Sequence, residues 1–227
     1  VLFDRMRELR DLGPSFISVT YGAGGSTRRN TIDLVCRMQE EVGIVAMAHL
    51  TCVGHSQTEL REVLRELQDR GVENLMCLRG DPPQGETTFV PTPDGFSHAA
   101  QLVTLARSLD DFSIGVAGYP EPHPECADKA LDLRHLKEKV DRGADFVTTQ
   151  LFFDNSDYFD FCRRARDVGI KTRIIPGIWP ITNYKQIVRV AKMCGATIPE
   201  ALRRKLEPVA DDTQAVFEVG VEWSWRQ

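Results

Sequence analysis

The sequence predicts an α/β fold, a (β/α)8 TIM barrel of which six of the eight strand–helix units are visible in residues 1–227. Two patterns predict it. An amphipathic helix, a glycine suited to a left-handed helix end and a short β-rich run recur along the chain. Polar residues also stand at or just past the carboxyl end of nearly every such run, which in a closed barrel brings them to one mouth. An open doubly wound sheet is the competing architecture, but it concentrates chemistry at one or two loops near a switch point.

Taken in order, five copies of the phrase are clear. Leu12-Gly13 precedes Phe16–Thr20, Val42-Gly43 precedes Ile44–Leu50, and Arg70-Gly71 precedes Asn74–Leu78. Arg142-Gly143 precedes Phe146–Gln150, and Val168-Gly169 precedes Arg173–Ile178. A sixth strand, Ser113–Val116, lacks the glycine. The glycine intervals are 30 (13 to 43), 28 (43 to 71), 72 (71 to 143) and 26 (143 to 169), so the long one holds two units. Cys194-Gly195 repeats the helix ending, but Pro199 follows closely and makes a strand there doubtful. The helix predicted over Thr58–Arg70 places Leu60, Val63, Leu64 and Leu67 on one stripe and Glu59, Arg61, Glu62, Arg65 and Glu66 on the other. The Pro- and Gly-rich stretch 81–95 is read as a long loop over the barrel mouth, and residues 1–227 as a single catalytic domain. Amphipathic stretches at both ends, Leu2 to Leu9 and Val216 to Trp225, are expected to be parts of a domain truncated at both ends.

Composition excludes several classes. Twenty-eight basic residues scattered among 33 acidic ones, for a net charge of −5, leave no stripe for nucleic acid. No apolar run approaches the ~20 residues that span a bilayer. Six cysteines without a C-x-x-C pair suggest neither a zinc site nor a disulfide framework, so no metal and a cytoplasmic location are expected.

Four segments carry candidate chemistry. Leu78-Arg79-Gly80-Asp81-Pro82-Pro83 flanks a permissive glycine with a guanidinium and a carboxylate, and reads equally as a strand-ending turn. Gly118 to Glu125 holds three prolines in eight residues, which stiffens a loop bearing Tyr119 and His123. Gly22 to Arg28 joins a strand to a helix without Walker or dinucleotide spacing, so Ser26 or Thr27 is expected as a helix cap. Thr148 to Asp154 ends a strand with the Gln150 amide, able to donate and to accept, beside Phe152 and Phe153, which read equally as core.

Together, Ser18-Val19-Thr20-Tyr21-Gly22-Ala23, His49-Leu50-Thr51-Cys52, Leu78 to Pro82, Val116 to Glu125, Gly143-Ala144-Asp145-Phe146, Thr149 to Asp154 and Ile175-Pro176-Gly177-Ile178 resemble the methylenetetrahydrofolate reductase family. The likeness runs almost end to end and keeps the family's order. It implies an eightfold barrel with FAD in its mouth, NADH or NADPH as an exchanging donor, and ping-pong reduction of 5,10-methylenetetrahydrofolate to 5-methyltetrahydrofolate. It implies that Thr20, Tyr21, Ala23, His49, Arg79, Gly80, Asp81, His98, Ala99, Tyr119, His123, Asp132, His135, Glu138 and Lys139 bind the cofactor. Asp81, Gln150 and Gln186 are the folate residues it implies, and Asp81, Gln150 and Thr20 the catalytic ones. A folate is thus the expected small-molecule partner, alongside a homo-oligomer or a complex with an electron-carrier protein. The family's Glu-Phe-Phe-Pro and Leu-Asn-Arg motifs do not occur in residues 1–227, so this stretch is expected to keep flavin contacts and to fail at folate reduction. A pterin-binding barrel methyltransferase and a non-catalytic flavin-binding subunit of a redox complex are the rival readings.

Overall fold

Each predicted helix-ending glycine adopts the left-handed conformation the phrase requires: Gly13, Gly43, Gly71, Gly143, Gly169 and Gly195 have φ between 70° and 113°. The structure is a computed structural model that describes residues 1–21, 25–82, 85–86, 88–109 and 111–227, with only the backbone of residues 25–29. Contacts divide it into two units, residues 1–116 with 139–145, and residues 117–138 with 146–227.

The first unit alternates helix and strand: α1 (Leu2–Asp11), β1 (Ile17–Val19), α2 (Gly25–Arg37), β2 (Ala46–Thr51), α3 (Gln57–Asp69), β3 (Asn74–Leu78), α4 (Ala99–Leu109) and most of β4 (Ser113–Gly118). Its strands pair in parallel in the order β1-β2-β3-β4. Ile17 aligns with Ala46, Met47 with Asn74, and Leu75 with Ile114. β1 is shorter than the predicted 16–20, because only Ile17, Ser18 and Val19 find partners on β2. α3 buries its predicted stripe, Leu60, Val63, Leu64 and Leu67. It begins with a capping box, in which Ser56 Oγ accepts from Glu59 N–H and Glu59 Oε2 accepts from Ser56 N–H. α2 begins at Gly25; the side chains of Ser26 and Thr27, the cap residues expected from the sequence, lie outside the described residues. The chain after α2 widens into a π turn, Met38–Val42, before Gly43. Arg107 binds α4 to the 143–145 turn, donating to Gly143 O and Asp145 Oδ2, both at 2.7 Å, and also to Phe112 O. Asp145 Oδ2 in turn accepts from Ile114 N–H at 2.7 Å.

The second unit contains the end of β4, most of α5 (Lys129–Asp141), β5 (Phe146–Leu151), α6 (Asn155–Asp167), β6 (Arg173–Gly177), α7 (Tyr184–Cys194), α8 (Glu200–Leu206) and α9 (Thr213–Arg226). β5 and β6 pair in parallel with a register shift between Thr148 and Leu151. Leu151, Phe153, Ile181, Ile187, Ala191, Leu202, Leu206 and Val216 form its core, so Phe152 and Phe153 are buried as packing. Among the described residues, no strand follows Gly195. Thr197 is drawn onto Glu121, and Pro199 is the N-cap of α8. Among the described residues, no helix is long and apolar enough to cross a membrane.

Candidate active site

In the first unit Thr20, Tyr21, Arg79, Gly80 and Asp81 stand just past the carboxyl ends of parallel strands, whereas His49 lies within β2, His98 and Ala99 lead into α4, and Lys139 lies on α5. Thr20 follows β1, exposed, and its carbonyl accepts from Thr31 Oγ1 at 3.3 Å. The Tyr21 hydroxyl shares a 2.9 Å hydrogen bond with His55 Nε2, and the two rings meet edge-on at 5.6 Å. His55 is buried, so this contact fixes the phenol from behind. His49 is half-buried on β2, and burial holds its imidazole below the ordinary pKa near 6.5, favouring the neutral base. Ala23 lies outside the described residues.

Past β3, Arg79 lays its guanidinium over the Phe89 ring at 4.9 Å. Gly80 has φ +88°, and a Cβ there would lie 2.6 Å from Val53 Cγ1. The sequence assigned this glycine to close approach of a ligand; the close neighbours in the structure are Val53 and Thr51 of its own unit. Asp81 follows, exposed. His98 and Ala99 form the entry to α4, where Gln101 Oε1 accepts the backbone N–H groups of Ser97 and His98. Lys139 belongs to the last turn of α5 and is half-buried.

In the second unit, the Tyr119 and His123 rings pack edge-on at 4.7 Å. His123 Nδ1 accepts from Glu125 N–H at 3.0 Å, which places the ring proton of the neutral form on Nε2. The loop is stiff for more than its prolines: Glu121 accepts from both Thr197 groups, and Pro124 packs against Gly195. Asp132, His135 and Glu138 lie along α5. Gln150 is half-buried, and its Oε1 accepts from Leu151 N–H at 2.9 Å, so the amide N–H2 is the end left to donate. Gln186 is exposed on the first turn of α7.

Two groups escaped the sequence reading. His55 sits 34 residues from Tyr21, a separation that carries no periodic signal. Cys126 lies beside Asp132 and His135, a C-x5-D-x2-H spacing passed over because cysteines were sought in pairs.

The family model for methylenetetrahydrofolate reductase matches residues 1–227. This chain belongs to that family. A methylenetetrahydrofolate reductase (NADH) from Arabidopsis thaliana is 41% identical over 234 residues, which cover 98% of this chain and 40% of the relative. The 5,10-methylenetetrahydrofolate reductase of Escherichia coli is 38% identical over 219 residues, covering 96% of this chain and 72% of that one. The chain therefore spans about two fifths of the length of its plant relatives. Among solved structures, an uncharacterized Clostridium thermocellum protein that binds two copies of 5-methyl-5,6,7,8-tetrahydrofolic acid has TM-score 0.52 at 13% identity, covering 100% of this chain and 87% of that one, a likeness of fold alone. Membership of the methylenetetrahydrofolate reductase family accounts for the order of the strand-end motifs, which the fold does not require.

Proposed function

We propose that the chain carries the flavin and folate site of a methylenetetrahydrofolate reductase, with residues 1–227 belonging to a single catalytic domain of (β/α)8 type and supplying six of its eight units. The observation that supports this reading is the position of the family's motif residues. Thr20, Tyr21, Arg79 and Asp81 in one unit, and Tyr119, His123 and Gln150 in the other, stand at or near the carboxyl ends of parallel strands, where barrel enzymes place their chemistry. Each unit also holds a buried hydroxyl on a strand that bears motif residues, which supports a ligand at those strands. Thr51 Oγ1, at the end of β2, and Thr148 Oγ1, beside the register shift of β5, are buried hydroxyls with no protein hydrogen-bond partner. Such groups cost free energy until a ligand or water engages them.

FAD, when bound, supplies hydride transfer between a nicotinamide donor and the folate in a ping-pong exchange. NADH is the donor proposed, since the Arabidopsis and maize relatives carry it in their names. Lys139 and His123 complement the diphosphate, while Tyr21, braced by His55, and Tyr119, braced by His123, hold their rings in place. The Asp81 carboxylate stabilises the cationic iminium form of methylenetetrahydrofolate. Gln150 donates from its amide N–H2 to the pterin, Gln186 adds a second folate contact, and Thr20 faces the exchanging substrates.

The test is an anaerobic absorbance spectrum of the purified protein supplied with FAD, titrated with NADH and then with methylenetetrahydrofolate. Bleaching by NADH is the expected result, without recovery on adding the folate, because residues 1–227 hold neither the Glu-Phe-Phe-Pro nor the Leu-Asn-Arg motif. Failure to retain flavin overturns the reading.

A further inference from the structure

We propose that Cys126, Asp132 and His135 form a binding site for a zinc-class divalent metal ion, and that metal and flavin exclude one another there. The second clause rests on the proposed function, because Asp132 and His135 are also assigned to the cofactor. The Cys126 thiol, an Asp132 carboxylate oxygen and a His135 ring nitrogen all lie within 4.8 Å of one another.

The backbone brings them together by local chemistry. Cys126 N–H donates to His123 O at 2.8 Å, which turns the chain back after the proline-rich loop. Asp128 Oδ1 then accepts from Ala130 and Leu131 N–H, at 2.8 and 3.2 Å, and starts α5. Asp132 and His135 are three residues apart on that helix and so share a face, next to the turn that bears Cys126.

The donor set selects the ion. Thiolate and imidazole are poor ligands for Mg²⁺ or Ca²⁺, whereas one sulfur, one nitrogen and one carboxylate oxygen suit Zn²⁺ or Co²⁺. With metal–ligand bonds of about 2.0–2.3 Å, tetrahedral ligand atoms stand roughly 3.3–3.8 Å apart. The observed separations therefore close by about 1.5 Å at most, within reach of a side-chain rotation. As the metal–sulfur bond forms, the thiol proton passes to solvent. Three protein ligands leave a fourth position for water, and exposed His135 gives the ion a path in.

The experiment titrates metal-free protein with Co²⁺, reading the thiolate-to-cobalt charge-transfer absorbance, and displaces it with Zn²⁺. One equivalent is expected to give the band, Cys126→Ala to abolish it with the circular dichroism unchanged, and saturating FAD to weaken Co²⁺ binding at least tenfold. Reciprocally, Zn²⁺ is expected to weaken FAD binding by the same factor in wild type and not in Cys126→Ala. No band, or a band that survives Cys126→Ala, overturns the metal site. A Cys126-dependent band that FAD leaves unchanged overturns the mutual exclusion. FAD retention by metal-free protein is measured separately, so a protein that binds Co²⁺ and no flavin refutes the proposed function while leaving the site standing.

Discussion

Replacing Gly80 by alanine separates two costs that a left-handed glycine combines, because Gly71 supplies a matched control. Gly71 has φ +72° and nothing within 4 Å of an added Cβ, so Gly71→Ala incurs only the conformational penalty, about 1–2 kcal/mol. Gly80 has φ +88°, and its Cβ would meet Val53 Cγ1 at 2.6 Å and Thr51 Cβ at 3.1 Å. Val53 is 5% exposed and β-branched, so it has no open rotamer into which to retreat. Overpacking of this kind adds about 1–3 kcal/mol, which brings Gly80→Ala to about 2–5 kcal/mol. The difference between the variants corresponds to roughly 5- to 150-fold in the folding equilibrium. Guanidinium unfolding of both proteins measures it through the midpoints, with slopes unchanged. In thermal melts the same difference is about 2–12 °C for a chain of this size. FAD affinity is expected to fall in Gly80→Ala alone, since Arg79 and Asp81 flank the displaced residue. A Gly80→Ala protein no less stable than Gly71→Ala would refute the steric argument.

Three further outcomes are expected. Ser56→Ala removes the hydroxyl that accepts from Glu59 N–H and is expected to lower stability by about 1 kcal/mol, with Ser56→Asp restoring most of the loss in the same denaturant assay. Arg107→Lys keeps the charge but loses the fork that reaches Phe112 O, Gly143 O and Asp145 together; a loss of about 2–3 kcal/mol is expected, little changed by added salt because the guanidinium is mostly covered. His49 has its folded pKa held below 6.5 by burial, so the unfolded chain binds its proton first on acidification. Its contribution is complete above pH 6.5 and lost as pH falls from there through the folded pKa, so the stability difference between wild type and His49→Gln is expected to shrink between pH 8 and pH 5 in parallel denaturation series.

Five of the six strands were legible because a local event announces them. A helix that has buried its stripe must end, and a left-handed glycine ends it with the chain turned back toward the next strand. Hence the predicted Asn74–Leu78 is the observed β3, while the predicted Ser113–Val116, which no glycine precedes, lies within β4 and was legible from its β-rich run alone. The strand ends carried the candidate residues for the same reason: polar side chains there are excluded from the packed interior and reveal themselves by type. Other features have no local announcement. The π turn at Met38–Val42 adds a residue to a helical turn without altering its apolar pattern. Glu121, 76 residues before Thr197, stiffens the Tyr119–His123 loop from outside. Buried polar partners such as His55 behave likewise, since a hydrogen bond needs only proximity and direction, and the chain can supply both from any distance in sequence. Periodicity therefore reports where backbone and apolar surface go, and residue type reports what chemistry is available. The coupling between functional groups is written only in three dimensions, which is why Cys126 becomes a ligand candidate once α5 has placed Asp132 and His135 beside it.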